Sequence, residues 1–197
     1  MIEVRRVCVF CGSSVGRRPE YGEGARRFGE LLASDGVGLV YGGARVGVMG
    51  ALADGALAVG GEVIGVIPTF MTGREVAHDG LSELHVVDSM HERKALMAEL
   101  ADAFVALPGG LGTLEETFEV LSWSQLGLHR KPVGLLDVAG YFGPFEAFLD
   151  HAVAEGFVLP EHRGLVLSDT DPASLVARLR AFEPPPTPTW LRAVEAT

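Results

Sequence analysis

The feature that most constrains this chain is an alternation: seven short, continuous apolar runs separated by longer stretches of helical periodicity. The runs are Val4–Cys11, Gly38–Tyr41, Val63–Pro68, Leu84–Val87, Ala103–Leu107, Val133–Leu136 and Leu165–Leu167. Helical patterns fill Pro19–Ser34, Val48–Val59, Met90–Ala101, Leu114–Leu126, Tyr141–Glu155 and Pro172–Phe182. A strand with one wet face alternates apolar and polar residues, whereas short uninterrupted apolar runs suit strands covered on both faces. Such strands, spaced by helices, build a parallel sheet flanked by helices, so the expected fold is α/β and doubly wound. No repeat or linker splits the chain, and one domain is expected over 1–182. From Glu183 onward Pro184, Pro185, Pro186 and Pro188 cannot continue a helix, so 183–197 reads as an extended Pro-rich tail.

The length of 197 residues is enough to bury a core without disulfides or a structural metal. A formal net charge of −10 argues against a nucleic-acid polymer as partner, yet one well-aimed loop or arginine can still hold a small anion. No apolar run approaches the ~20 residues of a membrane span, so no membrane partner is expected. Met1–Arg6 leads straight into a strand-like run without a signal peptide's apolar stretch, which points to the cytoplasm. The pair Cys8-Val9-Phe10-Cys11 has the spacing of a redox or metal motif. On a strand, however, residues three apart face opposite sides, and no second Cys/His cluster lies near. Two reduced structural thiols and no metal site are expected.

In a doubly wound fold, ligands gather at the carboxyl ends of the strands, where loops meet helix N-termini. The glycines cluster there: Gly12 after the first run, Gly42, Gly43, Gly47 and Gly50 after the second, Gly109, Gly110 and Gly112 after the fifth. A tight strand-to-helix turn explains any one cluster. Three along a single sheet edge point to an anion-binding crevice.

The sharpest segment is Leu107-Pro108-Gly109-Gly110-Leu111-Gly112-Thr113-Leu114-Glu115-Glu116. It ends a strand and opens a helix, so backbone N–H groups and the helix dipole offer an anion site. It lacks the Lys-Ser/Thr pair of a Walker A loop, and Glu115 stands where a dinucleotide fingerprint needs its third glycine. Thr113 and Glu116 have the spacing of a capping box, a role that competes with catalysis for Glu116. A second capping box, Ser89 with Glu92, opens the helix that carries His91, Arg93 and Lys94. Arg93 shares its stripe with Leu96, Met97 and Leu100, so its charge needs an anionic partner. A protein carboxylate, a ligand phosphate, or both would serve, and a purely structural ion pair is the competing account.

Met90-His91-Glu92-Arg93-Lys94 together with Pro108-Gly109-Gly110-x-Gly112-Thr113-x-x-Glu116 resembles the Lonely Guy family of cytokinin riboside 5′-monophosphate phosphoribohydrolases, long misannotated as lysine decarboxylases. Val9–Ser14, Tyr41-Gly42-Gly43, Gly47–Gly50 and Trp123–Gly127 support the resemblance, which runs from about Val7 to Gly140. Two positions depart from it: Ala44 replaces a glycine of the loop after the second run, and Ser122 replaces a threonine. The resemblance implies a Rossmann-like fold, a homodimer, and hydrolysis of AMP or N6-substituted AMP to free base and ribose 5-phosphate with no cofactor. Arg93 and Glu116 would be catalytic. Substrate contacts would fall on Glu75, Lys94, Gly109, Gly110, Leu111, Gly112, Thr113, Leu114, Glu115 and Ser122. The apolar content of Leu114–Leu128, with Phe118, Leu121 and Trp123, suits a helix that serves core and interface together. Rival readings are a pyridoxal-phosphate decarboxylase, a non-catalytic nucleotide or molybdenum-cofactor carrier, and a dinucleotide-dependent oxidoreductase.

Overall fold

The computed structural model describes residues 2–72 and 77–184. Its strands are β1 (Arg6–Phe10), β2 (Gly38–Tyr41), β3 (Val63–Pro68), β4 (Glu83–Val87), β5 (Ala103–Ala106), β6 (Val133–Leu136) and β7 (Val166–Asp169). Its helices are α1 (Pro19–Ser34), α2 (Gly47–Ala58), α3 (Met90–Leu100), α4 (Leu111–Gln125), α5 (Gly143–Ala154), the short α6 (Pro160–Arg163) and α7 (Pro172–Arg180). The strands form one seven-stranded sheet in the order β4-β3-β2-β1-β5-β6-β7, every pairing parallel. Val7 of β1 lies opposite Leu39 on one side and Ala103 on the other. The chain winds outward from β1 through β2, β3 and β4, then restarts beside β1 at β5. The β1/β5 boundary is therefore the topological switch point, where such sheets bind ligands.

Two apolar layers hold the sheet. Phe28, Leu32, Leu52, Leu175 and Leu179 from α1, α2 and α7 cover one face. Met97, Val120, Leu121 and Leu149 from α3, α4 and α5 cover the other. Cys8 and Cys11 are both free and buried, and they join opposite layers, as a strand's alternation requires. Burial pushes both thiols above their ordinary range.

The structure departs from the sequence pattern in four places. At the β4 edge, Leu84 and Val86 remain exposed, because only β3 pairs with that strand and one layer fails to reach it. The helix bearing the glycine loop starts at Leu111, with Gly110 as its N-cap, three residues before the expected Leu114. Thr113 is thus inside the helix, and the Thr113–Glu116 capping box does not form. Ser89 does cap α3, its hydroxyl accepting from Glu92 N–H at 3.1 Å, but the Glu92 carboxylate reaches Asp88 N–H at 2.8 Å. Finally, α6 lies in the connection before β7, and α7 ends at Arg180. Of the Pro-rich segment, only Glu183 and Pro184 fall among the described residues. Ala44 needs no special backbone, since positive φ falls on Gly43 (φ 79°) and Gly47 (φ 64°) instead. Among the described residues no helix is long and apolar enough to cross a membrane.

Candidate active site

The three glycine turns meet at the switch point. Gly12 N–H donates to the Pro108 carbonyl at 3.1 Å, and Met49 N–H donates to the Gly12 carbonyl at 3.2 Å. This stitching joins the exits of β1, β2 and β5 into one floor. Above it opens a cavity of about 360 Å³ between the first turn of α4 and the inner face of α3. Gly110, Leu111, Gly112 and Thr113 form one rim, and Gly110 supplies no side-chain cap, so the first-turn N–H groups have no side-chain acceptor there and suit an anion.

Arg93 crosses the opposite side almost wholly buried, at 6% exposure. Its Nε donates to the Val66 carbonyl at 3.1 Å, Nη2 lies 3.5 Å from the Gly42 carbonyl, and Nη1 lies 3.8 Å from the Met90 sulfur. A Cβ at position 42 would lie 2.2 Å from Nη2, so glycine there makes room for the guanidinium in this pose. Backbone carbonyls therefore fix the guanidinium without neutralising it. The facing carboxylate is Glu116, at 8% exposure, with Oε1 3.9 Å from Arg93 Nη1. That separation is beyond a hydrogen bond. Burial raises the Glu116 carboxyl to about 7; Arg93 opposes the rise, Glu115 and Glu119 add to it, and Lys94 again opposes it. A buried carboxyl that ionises near neutrality, beside an arginine and an anion site, is equipped for proton transfer or for stabilising a cation.

The remaining expected residues are distributed unevenly. Glu115 lines the cavity with Glu116. Gly109 lies just outside it, its carbonyl accepting from the Tyr141 hydroxyl. A Cβ at position 109 would meet Thr113 Oγ1 at 2.1 Å, so glycine at 109 lets the loop close on its own helix. Lys94 does not line the cavity: its ammonium lies 2.6 Å from Glu115 Oε1 and 2.9 Å from Glu119 Oε1. Leu114 and the exposed Ser122 do not line it either. Glu75 lies outside the described residues.

Sequence reasoning missed the apolar wall. Met49, Met71, Met90, Met97 and Phe70 all face the cavity. Met97 was already on Arg93's stripe, and Met90, three residues before Arg93, has the spacing to share it, whereas Met49 and Phe70 carry no local signal. Glu119 was missed too, although it lies four residues from Glu115 on the same helix. The decarboxylase reading finds no fit. The chain has two lysines, Lys94 and Lys131, and the second donates to the Ala98 carbonyl at 2.7 Å. Neither lines the cavity, so no amine is placed to hold a pyridoxal phosphate.

Fold and site together define a doubly wound α/β protein whose switch point sets a helix N-terminus opposite a buried arginine–carboxylate pair. A family described as "Possible lysine decarboxylase" matches residues 49–179. A cytokinin riboside 5′-monophosphate phosphoribohydrolase of Rhodococcoides fascians is 53% identical over 178 residues, 90% of each chain. A probable enzyme of the same name from Oryza sativa subsp. japonica is 54% identical over 180 residues, 91% of this chain and 79% of that one. In fold, a molybdenum cofactor carrier protein of Chlamydomonas reinhardtii superposes with a TM-score of 0.69 at 25% identity, covering 91% of this chain and 97% of the carrier. The chain belongs to the Lonely Guy family, the phosphoribohydrolase family formerly described as lysine decarboxylases.

Proposed function

We propose that this protein hydrolyses the N-glycosidic bond of cytokinin-type nucleoside 5′-monophosphates, AMP carrying an N6 substituent, to the free base and ribose 5-phosphate. One observation carries the reading: Glu116 has no capping duty and sits buried 3.9 Å from Arg93 on the wall of the cavity. In the reaction the bond from ribose C1′ to the base nitrogen breaks, the base leaves with the electron pair, and water supplies OH to C1′ and a proton to the base. The transition state is oxocarbenium-like, and an ionised Glu116 stabilises its charge or takes the proton of the attacking water. Arg93, held by its carbonyl contacts, turns Nη1 toward the ribosyl oxygens and Glu116. The N–H groups at the start of α4, across Gly110–Thr113, hold the 5′-phosphate, and the methionine wall receives the N6 substituent.

The same reading makes the protein a cytoplasmic homodimer. Two free buried thiols suit a reducing compartment. Phe118, Leu126 and Leu128, exposed on and just after α4, give an apolar face for the second copy. Assaying AMP, an N6-substituted AMP and the matching nucleosides for free base and ribose 5-phosphate tests the proposal. Binding of monophosphate without base release assigns the chain to the carriers. Equal turnover of nucleoside and monophosphate removes the phosphate from the α4 N-terminus.

A further inference from the structure

The resemblance places Lys94 among the substrate contacts, and the structure gives it a different occupation. Its side chain is 10% exposed, and its ammonium is gripped by two carboxylates of α4, Glu115 and Glu119. These stand one residue before and three after Glu116. Helix α3 packs mainly on β3 and β1, and α4 on β1, β5 and β6, with little direct backbone contact between the helices. The reacting pair itself does not fasten them, because Arg93 and Glu116 stop at 3.9 Å. Among the described residues, the two short bonds of Lys94 are the charged links from α3 to α4 besides that loose pair.

We infer that Lys94 is a positioning residue: its ammonium, held between Glu115 and Glu119, locks α3 to α4 and sets the distance from Arg93 to Glu116. The inference rests on Glu116 being the reacting carboxylate. It carries an electrostatic consequence. The charged and titratable groups around Glu116 are Arg93 and Lys94 of α3, Glu115 and Glu119 of α4, and the thiols of Cys8 and Cys11 at β1. Lys94 offsets the two flanking carboxylates, so without it three carboxylates on little more than one turn face Arg93 alone. The Glu116 carboxyl then ionises at higher pH, and less of it is charged at neutrality.

The decisive measurement is a ¹³C titration of the glutamate side-chain carboxyls, with the Glu116 signal assigned through Glu116→Gln. It needs no turnover, so it decides this inference even if the full-length parent releases no base and the hydrolase reading falls. Lys94→Met should raise the Glu116 midpoint by ~0.5 pH units or more, and Lys94→Arg should leave it near the parent's. Glu119→Gln, which keeps one grip and removes one like charge, should lower it and covers the case of a Lys94→Met chain that does not fold. In turnover of AMP, the acid limb of kcat/KM should move with the midpoint while KM on the alkaline plateau stays within about threefold, since Lys94 would not touch substrate. A Glu116 midpoint unmoved in folded Lys94→Met and in Glu119→Gln overturns the inference. So does a KM raised tenfold with an unmoved acid limb, the signature of a direct substrate contact.

Discussion

The two ends of the sheet each bring an arginine to a glutamate, and they do so in opposite ways. At the amino ends of the strands Arg6 grips Glu62 with two bonds of 2.9 Å, side chains 37% and 46% exposed. Nearby, Asp102 accepts the N–H groups of Arg5 and Arg6 at 2.8 and 3.0 Å. This depression, about 660 Å³, is larger than the carboxyl-end cavity, yet its main charges already satisfy one another. At the carboxyl end the side chains of Arg93 and Glu116 are 7% and 10% exposed and stand 3.9 Å apart. An exposed, closed pair is worth about 0–1 kcal/mol and leaves little for a ligand to complete. A buried, open pair holds its charges at a desolvation cost and leaves a gap that a substrate can enter. Size alone would select the amino end, where the main charges are already paired.

The contrast breaks most directly at the two glutamates. Glu116→Gln keeps the shape and removes the charge, so base release should fall roughly 10²–10⁴-fold while nucleotide still binds. Release within about threefold of the parent would return Glu116 to a structural role and shift attention to Glu115.

The arginines come next. Arg93→Lys keeps a charge but cannot reach the Val66 and Gly42 carbonyls with one planar fork, and activity should fall about 10–10²-fold in a folded protein. Near-parental turnover would make Arg93 a structural counterpart of Arg6.

The pH dependence separates the ends more finely. With Glu116 of the free enzyme ionising at about 7, kcat/KM should climb about tenfold per pH unit below that value and level off above it. Stability runs the other way. The folded-state value lies above the ordinary 4.5, so this group's contribution is complete below 4.5 and is lost as pH rises through about 7. Relative to Glu116→Gln, the parent should lose up to about 3 kcal/mol over that window, at about 1.4 kcal/mol per unit. Thermal melts at pH 5 and pH 8 check the sign, and a Tm gap that moves in the parent's favour as pH rises would contradict it.

The smallest effect belongs to the amino end. Glu62→Gln should cost less than about 1 kcal/mol in melting experiments, and base release should stay within about twofold of the parent. A larger loss of activity would mean that the depression at Arg6 communicates with the site.

Much of this arrangement was legible before the fold was seen. The continuous apolar runs matched the five interior strands; at the edges, β7 is only partly buried and β4 leaves Leu84 and Val86 exposed. Arg93's place among Leu96, Met97 and Leu100 already required a buried charge. The capping box at Thr113 misled because Thr-x-x-Glu satisfies a local rule, while Gly110, with no side chain to offer, is where the chain in fact enters the helix. The pairing of Lys94 was not legible, because its partners, Glu115 and Glu119, lie 21 and 25 residues away on another helix.

Periodicity alone determined the α/β class, the turns that carry glycine, and the helices that carry Arg93 and Glu116. These are properties of neighbouring residues, set by which side chains must leave water together. The tertiary structure decided that β5 returns beside β1, so that turns almost a hundred residues apart share one floor. It also decided the 3.9 Å gap, the grip on Lys94 and the raised ionisation of Glu116. Each of these depends on the distance between helices seated on different strands and on how much water their packing excludes. No window of sequence contains that information.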